Sequence, residues 1–340
     1  MQNSTWTPPE LLKISGSYWS ACALHAGVKL DLFTPLSAAP ATASELAARF
    51  DLDERGLTML LDALAALELL CKVEDAYQAS PFAAQFLSAH SSGYLGHIIL
   101  HHHHLVDSWA RLDEVVRSGA PSRHRVSHAS DEIERQSFLL GMFNLAMMLA
   151  PQIVRQIDLS GRRHLLDLGG GPGTYAIHFC QQNPELQATV FDLPTTRSIA
   201  ERMIAQFALQ NRIRFVAGDF QDDALREAYD VAWLSHVLHG EGEDGCVRML
   251  KNAAGQLEAD GLLLVQEFIL ADSRDRPIFP ALFSLNMLIG TPRGKAYSEG
   301  ELMCLLESVG FEQVERLPIE LPNGAGILRG RKPGGKSSSL

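Results

Sequence analysis

Apolar positions recur with a helical period near the start of the chain. Five leucines with this spacing lie in one predicted helix: Leu57, Leu60, Leu61, Leu64 and Leu67. A shorter helix over residues 43–50 and a turn at residues 51–53 precede it, and residues 72–80 are expected to form a hairpin. Helix, turn, helix and hairpin in this order predict a winged helix.

The segment from Pro9 to Leu36 is a predicted helical arm with more apolar surface than a small winged helix can cover. Its large side chains include Tyr18, Trp19, Leu24, Val28 and Leu32. A second copy of the chain would bury this surface. We therefore expect residues 1–92 to form a mostly helical, winged-helix dimerisation domain that makes a homodimer. Packing within one chain is the alternative.

Residues 93–160 are predicted to be a helical linker that lines a substrate pocket, with a loop near residues 118–129. The histidines His101–His104 point in four directions on a helix, which favours mixed core and surface positions over a metal site. Phe143 and Met147 share one helix face. They are expected to line a pocket for a flat apolar ligand, with core packing as the alternative.

From residue 161 onward, short apolar runs alternate with helical patterns. The predicted strands are His164–Leu168, Ala188–Asp192, Ile213–Ala217, Val231–Ser235 and Leu262–Phe268. This alternation predicts an α/β fold, a doubly wound, Rossmann-like domain with a parallel sheet over residues 161–331, which binds ligands at the carboxyl ends of its strands. Residues 332–340, rich in glycine and serine, are predicted to be a disordered tail.

Charge and composition narrow the class of protein. The 340 residues carry 29 Lys and Arg against 40 Asp and Glu, and between Val28 and His90 four basic residues face nine acidic ones. The predicted winged helix therefore suits duplex DNA poorly, and we expect no nucleic-acid partner. The polar start, the absence of eighteen consecutive apolar residues and five scattered cysteines predict a cytoplasmic protein without membrane insertion, disulfide framework or metal.

A glycine-rich segment, Asp167-Leu168-Gly169-Gly170-Gly171-Pro172-Gly173, follows the first of these strands. Glycines at every second position let the backbone approach a ligand where a Cβ would obstruct it. The Asp167 carboxylate would repel a pyrophosphate and attract an α-ammonium group such as that of S-adenosylmethionine. Asp192, which ends the next strand, can take ribose hydroxyls. A tight turn without a ligand is the alternative.

Two residues are candidates for proton transfer. His239 follows the strand Val231–Ser235, and Glu267 lies at the end of the strand Leu262–Phe268. If these strands are neighbours, the carboxylate can fix one imidazole nitrogen and leave the other to accept a phenolic or alcoholic proton. His236 as the base, and Glu267 as a loop cap, are the alternatives.

The chain resembles the small-molecule O-methyltransferases of the caffeic acid, acetylserotonin and hydroxyneurosporene type in four segments: Asp167–Gly173, Asp192-Leu193-Pro194, Gly218-Asp219-Phe220 and Ser235–His239. The resemblance implies S-adenosylmethionine as cofactor and S-adenosylhomocysteine as product. Its implied cofactor contacts are Asp167, Gly169 and Gly171 at the methionine part, Asp192 and Leu193 at the ribose, Asp219 and Phe220 at the adenine, and Ser235 beside the adenosine. It also makes His239 the base and Glu267 the group that orients it.

The chain departs from the plant-type pattern at two places. Gly240-Glu241 replaces Asp-Trp after the histidine, and Ala296 stands where many members have a second orienting glutamate. Tyr297 is the expected replacement contact for the substrate. The stretch Phe279–Thr291 matches the second substrate wall of the family, through Phe283, Asn286 and Met287.

The function expected from this sequence is methyl transfer to a hydroxyl of an aromatic or hydrophobic small molecule. Because one orienting carboxylate is missing, methylation at carbon or a reaction without methyl transfer on the same scaffold is the first alternative. A winged-helix regulator that senses S-adenosylmethionine is the second, and the acidic charge of that module argues against it.

Overall fold

A computed structural model describes residues 6–125, 131–221, 223, 225 and 227–334 of the chain. The described residues fall into two compact units. The first comprises Met1–Val106 with Gln136–Asn144, and the second comprises Asp107–Arg135 with Leu145–Leu340. The predicted linker 93–160 is therefore divided between the two units, and part of its expected loop lies outside the described residues.

The first unit is mostly helical. Its helices are α1 (Pro8–Ser15), α2 (Tyr18–Lys29), α3 (Phe33–Ala38), α4 (Ala43–Phe50), α5 (Glu54–Ala66), α6 (Pro81–Phe86) and α7 (Gly96–Trp109), the last continuing beyond the unit. Its strands are β1 (Ala41–Thr42), β2 (Leu70–Val73) and β3 (Ala76–Ala79), which form an antiparallel sheet in the order β1-β3-β2. The expected order of helix, turn, helix and hairpin is thus present as α4, α5 and the pair β2–β3.

Local signals explain where these helices begin. The Thr42 hydroxyl accepts the Glu45 N–H at 3.2 Å while the Glu45 carboxylate accepts the Thr42 N–H at 2.8 Å, a capping box that starts α4. The Asp53 carboxylate caps α5 by accepting the Gly56 N–H at 2.7 Å. Leu57, Leu61 and Leu64 face the core of the unit.

The helical arm buries only part of its predicted apolar surface. Val28 and Leu32 lie in the core of the unit, so the expectation that they face a partner is wrong. The large apolar residues just before α1, within it and at the start of α2 remain exposed: Trp6, Leu11, Leu12, Ile14, Tyr18 and Trp19. No described residue of α1 itself is buried. The exposed apolar side chains of the arm are therefore concentrated in residues 6–19.

The second unit is built on a mixed sheet. Its helices are α8 (Leu112–Ser118), α9 (Glu132–Val154, shared with the first unit), α10 (Thr174–Gln182), α11 (Arg197–Gln206), α12 (Glu243–Gln256), α13 (Ile278–Gly290) and α14 (Glu299–Ser308). Its strands are β4 (His164–Leu168), β5 (Gln187–Asp192), β6 (Ile213–Ala217), β7 (Tyr229–Ser235), β8 (Leu257–Leu270), β9 (Tyr297–Ser298), β10 (Glu312–Arg316) and β11 (Ala325–Arg331). The main strand order is β10-β11-β8-β7-β4-β5-β6, and β9 pairs with β8.

The pairing confirms the doubly wound prediction for five strands and corrects it at one edge. Strands β6, β5, β4, β7 and β8 are parallel neighbours. Strand β11 runs antiparallel to β8, and β10 runs antiparallel to β11, so the sheet is mixed rather than wholly parallel. The charged sequence of β10 carries no buried apolar run, because β10 is an exposed edge strand.

Helix α9 bears on the membrane prediction. By length and composition it is the one helix among the described residues that could span a membrane. One such helix is weak support for a membrane protein, because core helices of soluble proteins have the same composition. The absence of membrane insertion therefore stays a prediction.

The expected tail starts with an anchored residue. The Lys332 ammonium donates to the carbonyls of Ala254 and Leu257 at 2.8 and 2.5 Å. Residues 335–340 of the predicted disordered tail lie outside the described residues.

Candidate active site

Three acidic side chains lie at the carboxyl ends of neighbouring parallel strands in the second unit. Asp167 is on β4, Asp192 ends β5, and Glu267 lies near the end of β8, which is joined to β4 through β7. Ser235, the last residue of β7, is opposite Gln266 in register. The sheet therefore brings the sequence-predicted cofactor and base residues to one edge.

The glycine loop after β4 has a backbone that side chains would strain. Gly169, Gly171 and Gly173 all have positive φ, at 69°, 53° and 77°. A Cβ on Gly169 would lie 2.6 Å from Val237 Cγ1, whereas one on Gly171 would meet nothing within 4 Å. The loop is thus packed tightly on one side and open above Gly171, as a close approach to a ligand requires.

Asp167 is a buried carboxyl with spare bonding capacity. Its side chain is 1% exposed, its Oδ2 accepts the Ala176 N–H at 3.4 Å, and its Oδ1 has no partner among the described residues. Burial raises the pKa of Asp167 to about 7; the Ala176 hydrogen bond lowers it and the charge of Asp192 raises it. A carboxyl that has lost water and lacks a cation suits the α-ammonium of S-adenosylmethionine.

Asp192 is held rigidly beside the glycine loop. Its Oδ2 accepts the Gly171 N–H at 2.8 Å, and its Oδ1 accepts the Leu193 N–H at 2.7 Å and the Thr196 hydroxyl at 3.0 Å. Each carboxylate oxygen can accept more than one hydrogen bond. Asp192 therefore fits the ribose hydroxyls that the sequence assigned to it.

The proposed adenine side follows β6. Asp219 Oδ1 accepts the Gln221 N–H at 2.9 Å, and the Phe220 ring edge lies 3.3 Å from the position of a Cβ on Gly169. The Ser235 hydroxyl lies 3.4 Å from Gln266 Oε1. Phe220 thus packs against the cofactor loop, while Ser235 lies at the same edge through its place on β7.

The predicted catalytic pair forms in the structure. His239 Nδ1 lies 2.8 Å from Glu267 Oε2, and the His239 backbone N–H donates to Glu267 Oε1 at 3.2 Å. The Glu267 side chain is buried. Burial by itself would raise the pKa of Glu267, but the charge and hydrogen bond of His239, with His236 nearby, lower it well below its ordinary value. Glu267 is therefore a charged acceptor for the Nδ1 proton of His239.

His236 lies beside this pair without an equivalent bond. Its Nδ1 is 3.6 Å from Glu267 Oε2, its φ is 55°, and its ring packs on Phe268 with centroids 4.3 Å apart. The donor atoms of His236, His239 and Glu267 lie within 4.8 Å of one another, a set that could also hold a divalent metal. Because its Nδ1 bonds to the carboxylate, His239 fits the role of base better than His236.

Helix α13 supplies a wall next to His239. The Phe283 ring meets the His239 ring edge-on with centroids 4.8 Å apart, and Met287 follows one turn later, mostly buried. Asn286 Oδ1 accepts Trp109 Nε1–H at 3.2 Å and an Arg123 Nη2–H at 3.3 Å. Of the predicted residues of this helix, Phe283 therefore contacts the candidate base, and Asn286 and Met287 lie on the following turn.

The remaining predicted substrate contacts have other positions. The Tyr297 ring is 1% exposed and its hydroxyl donates to the Glu241 carbonyl at 2.6 Å, so Tyr297 does not line an open pocket as expected. Met147 Sδ lies 3.3 Å from His178 Nε2 within the second unit. Phe143 lies in the first unit.

The sequence did not predict a cluster of polar side chains around two arginines near α13 and the loop after His239. Trp109 and Arg123 meet at Asn286, and Arg125 pairs with Glu241 at 2.6 Å and also donates to the Gly240 carbonyl. Nothing in the sequence marks these arginines, because they lie in a loop without a motif. The sequence does contain one signal for Arg125. Glu241 stands where the plant pattern has a tryptophan, and a partly buried carboxylate there requires a cation as its partner.

The ligand that these groups can hold defines the class of protein. An ammonium at Asp167 and ribose hydroxyls at Asp192, without a phosphate, match S-adenosylmethionine, so the fold and site define a methyltransferase. The O-methyltransferase domain model matches residues 109–312, and the O-methyltransferase dimerisation domain model matches residues 12–89. The chain belongs to this O-methyltransferase family.

Relatives and solved structures agree with this assignment. A 3-hydroxy-5-methyl-1-naphthoate 3-O-methyltransferase of Streptomyces sahachiroi is 32% identical over 330 residues, covering 96% of this chain and 95% of the relative. The structure of an O-methyltransferase family protein from Burkholderia thailandensis is 29% identical, with a TM-score of 0.88 over 98% of this chain and 100% of that one. Human N-acetylserotonin methyltransferase in complex with S-adenosylmethionine is 25% identical, with a TM-score of 0.83 over 98% of this chain and 100% of that one.

These findings confirm three expectations from the sequence. The protein is an S-adenosylmethionine-dependent O-methyltransferase that acts on a small molecule. Its catalytic domain is Rossmann-like, and its N-terminal region carries the dimerisation domain of the family.

Proposed function

We propose that His239 takes the hydroxyl proton of an aromatic or hydrophobic acceptor during methyl transfer. The observation that carries this proposal is the 2.8 Å contact between His239 Nδ1 and the buried Glu267. Because Nδ1–H donates to the carboxylate, Nε2 keeps a lone pair for the proton of the acceptor. The charge of Glu267 also stabilises the imidazolium that forms.

The step balances without a further reactant. S-adenosylmethionine supplies a methyl group bound to a positively charged sulfonium. As the acceptor oxygen forms its bond to the methyl carbon, the carbon–sulfur bond breaks and the neutral thioether of S-adenosylhomocysteine leaves. The acceptor proton moves to His239 Nε2 and then to solvent. The contribution of the protein is alignment and a positioned base.

The cofactor assignments follow the strand edge. We assign the α-ammonium to Asp167, because its Oδ1 is buried and has no partner among the described residues. Gly169 and Gly171 give the methionine part access, and Asp192 with Leu193 takes the ribose. Asp219 and Phe220 flank the adenine, with Ser235 beside the adenosine.

The proposed acceptor wall begins on α13. Phe283 and Met287 follow one another by one turn, and Phe283 touches the ring of the proposed base. Such a wall favours an acceptor with a flat, apolar ring system. The hydroxynaphthoate named for the S. sahachiroi relative has such a ring system, which supports the proposal. Met147 remains a proposed contact, Asn286 is proposed to shape the wall, and Tyr297 is left out because it is buried. Phe143 stays a prediction from the sequence.

Mass spectrometry of products from a panel of phenols tests the function. The wild type is expected to add one methyl group to a phenolic oxygen, and His239→Ala to lose at least about 10²-fold in kcat. Each assay is run with and without EDTA, and equal activity is expected, because the base needs no metal. Loss of activity with EDTA would instead assign His236, His239 and Glu267 to a metal.

Two comparisons keep this test specific. His164→Ala, an exposed histidine at the opposite end of β4, should retain full activity. His236→Ala should lose less than His239→Ala, since its Nδ1 lies 3.6 Å from the carboxylate. Undiminished turnover by His239→Ala, or a methyl group found on carbon, would support the alternative chemistry on this scaffold.

We also propose that the enzyme is a cytoplasmic homodimer that joins through residues 6–19. The exposed apolar residues of α1 and early α2 support this, together with the match of residues 12–89 to a dimerisation domain. Its partners are then a second copy of the chain and a small-molecule acceptor, with no nucleic acid.

A further inference from the structure

Arg123 is a cation without a matching anion on the catalytic side of α13. No carboxylate of the described residues forms an ion pair with it, although the field of Glu134 reaches it. Its Nη2 donates to Asn286 Oδ1 at 3.3 Å, and its Nη1 to the His124 carbonyl at 3.4 Å. Its Nε is buried and has no partner among the described residues. Arg123 is half-buried, and a cation that has lost part of its water is usually paired, so this one has capacity for an anion.

The surroundings of Arg123 hold the guanidinium in place. A Cβ on Gly290 would lie 2.6 Å from Arg123 Cζ, so the guanidinium rests on a helix position that only glycine leaves open. The Ser122 N–H donates to the Ile289 carbonyl at 3.0 Å, which ties the loop to the end of α13. The Ser122 hydroxyl is also buried without a partner among the described residues. Two consecutive residues thus keep unused buried hydrogen-bond donors.

The position of Arg123 relates it to the base. Phe283, Asn286 and Gly290 recur at helical spacing, so they share one face of α13. Phe283 touches His239, and Asn286, about 4.5 Å further along the axis, binds Arg123. Arg125 of the same loop donates to the Gly240 carbonyl, next to His239. The proposed base and the guanidinium therefore contact neighbouring side chains on the same face of α13.

We propose that Arg123 binds a carboxylate on the aromatic ring of the acceptor, so that the preferred substrate is a hydroxyaryl carboxylate. This inference rests on the proposed O-methylation, whose base it leaves unchanged. The planar fork of a guanidinium matches a carboxylate in two parallel hydrogen bonds. The bound carboxylate would fix the ring so that a hydroxyl across it points towards His239 Nε2.

The test compares three acceptors that share one ring: a hydroxynaphthoate with its carboxylate meta to the hydroxyl, the corresponding carboxamide and the bare naphthol. Arg123→Met is expected to raise KM for the hydroxynaphthoate about 10- to 100-fold, the effect of one charge-assisted hydrogen-bonded contact. KM for the naphthol should stay within about two-fold. Arg123→Lys should recover part of the loss, because it keeps the charge without the fork.

Two further variants serve as controls: Gly290→Ala displaces the same guanidinium, and Arg117→Met removes an arginine outside the site. Gly290→Ala should weaken hydroxynaphthoate binding as Arg123→Met does, because its Cβ displaces the guanidinium. Arg117→Met, an exposed arginine on α8, should change nothing. Equal losses with all three acceptors, or no preference of the wild type for the carboxylate over the carboxamide, would overturn the inference.

Calorimetry separates this inference from the proposed function. Hydroxynaphthoate is titrated into the protein saturated with S-adenosylhomocysteine, whether or not any acceptor is methylated. Binding by the wild type that Arg123→Met weakens about 10-fold or more supports the inference even if O-methylation fails. Absence of binding, or the same affinity in both proteins, contradicts it. Unchanged S-adenosylhomocysteine affinity of Arg123→Met shows that the variant is folded.

Discussion

At the scale of single residues, Asp167 shows how a binding site keeps a group that the fold alone would disfavour. Its carboxyl is buried, and one of its oxygens has no partner among the described residues. The free protein therefore carries a desolvation cost that a bound ammonium removes. This residue makes the sharpest link between stability and function in the site.

Asp167→Asn is predicted to separate the effect of this residue on stability from its effect on cofactor binding. The amide keeps the shape and can still accept the Ala176 N–H, but it has no charge for the ammonium. We expect a free protein that is more stable at pH 8 by about 1–3 kcal/mol, with at least about 10-fold weaker S-adenosylmethionine binding. Thermal unfolding and calorimetry measure these quantities. Wild-type affinity in the variant would remove Asp167 from the cofactor site.

The pH dependence of the free protein follows from the same residue. The pKa of Asp167 is raised in the folded state to about 7, so its contribution to stability is present below its unfolded value near 4 and is lost as pH rises through 7. The affinity for S-adenosylmethionine depends on pH in the opposite direction, because binding needs the ionised carboxylate. Affinity is therefore expected to strengthen from pH 6 to 7, and Asp167→Asn should lose this dependence.

At the scale of elements, the sequence predicts strands whose apolar pattern is visible along the chain. It misses strands whose pairing depends on contacts between distant parts of the chain. The residues of β4 and β6 match their predicted bounds. Strand β4 is a mostly apolar, buried run inside the sheet, whereas β6 begins with alternating buried and exposed residues at the sheet edge. The antiparallel strands β10 and β11 were not predicted, since the chain reversal that pairs β11 with β8 leaves no period in the sequence.

The candidate site divides in the same way. Asp167, Asp192, His239 and Glu267 could be placed because they follow strand ends, and a parallel sheet brings such ends together. The contact of Arg123 with Asn286 joins a loop to a helix that is far away in the chain. Tyr297 was misassigned because the hydroxyl that could donate to a substrate donates to the Glu241 carbonyl instead.

The loop between β4 and α10 gives an element-scale prediction with a matched control. Gly169→Ala and Gly161→Ala both place a side chain at positive φ, 69° and 78°, and each should cost about 1–2 kcal/mol of unfolding free energy. Only the Cβ at Gly169 would meet a neighbour, Val237 at 2.6 Å, whereas that at Gly161 meets nothing within 4 Å. Calorimetry should show weaker S-adenosylmethionine binding for Gly169→Ala alone. An equal loss of affinity in Gly161→Ala would show that backbone strain, and not the contact with Val237, weakens binding.

At the scale of the whole molecule, the proposed homodimer places a second copy of the chain against residues 6–19. The exposed apolar side chains between Trp6 and Trp19 form the surface that we propose a partner covers. The double variant Leu12→Asp/Trp19→Asp is predicted to elute as a monomer in light scattering coupled to size exclusion. Val73→Asp, exposed on the hairpin, should stay a dimer. A wild-type monomer, or a dimeric double variant, would contradict this interface.

The central claim is that His239, oriented by Glu267, removes the acceptor proton. The most direct test measures single-turnover methyl transfer by the wild type and by His239→Gln with phenols of graded acidity, with both proteins saturated with S-adenosylmethionine. Because an acidic phenol is already ionised, we predict a loss of about 10²-fold or more for the least acidic phenol that shrinks towards none for the most acidic one. The same loss with every phenol would show that His239 holds the acceptor and does not act as its base.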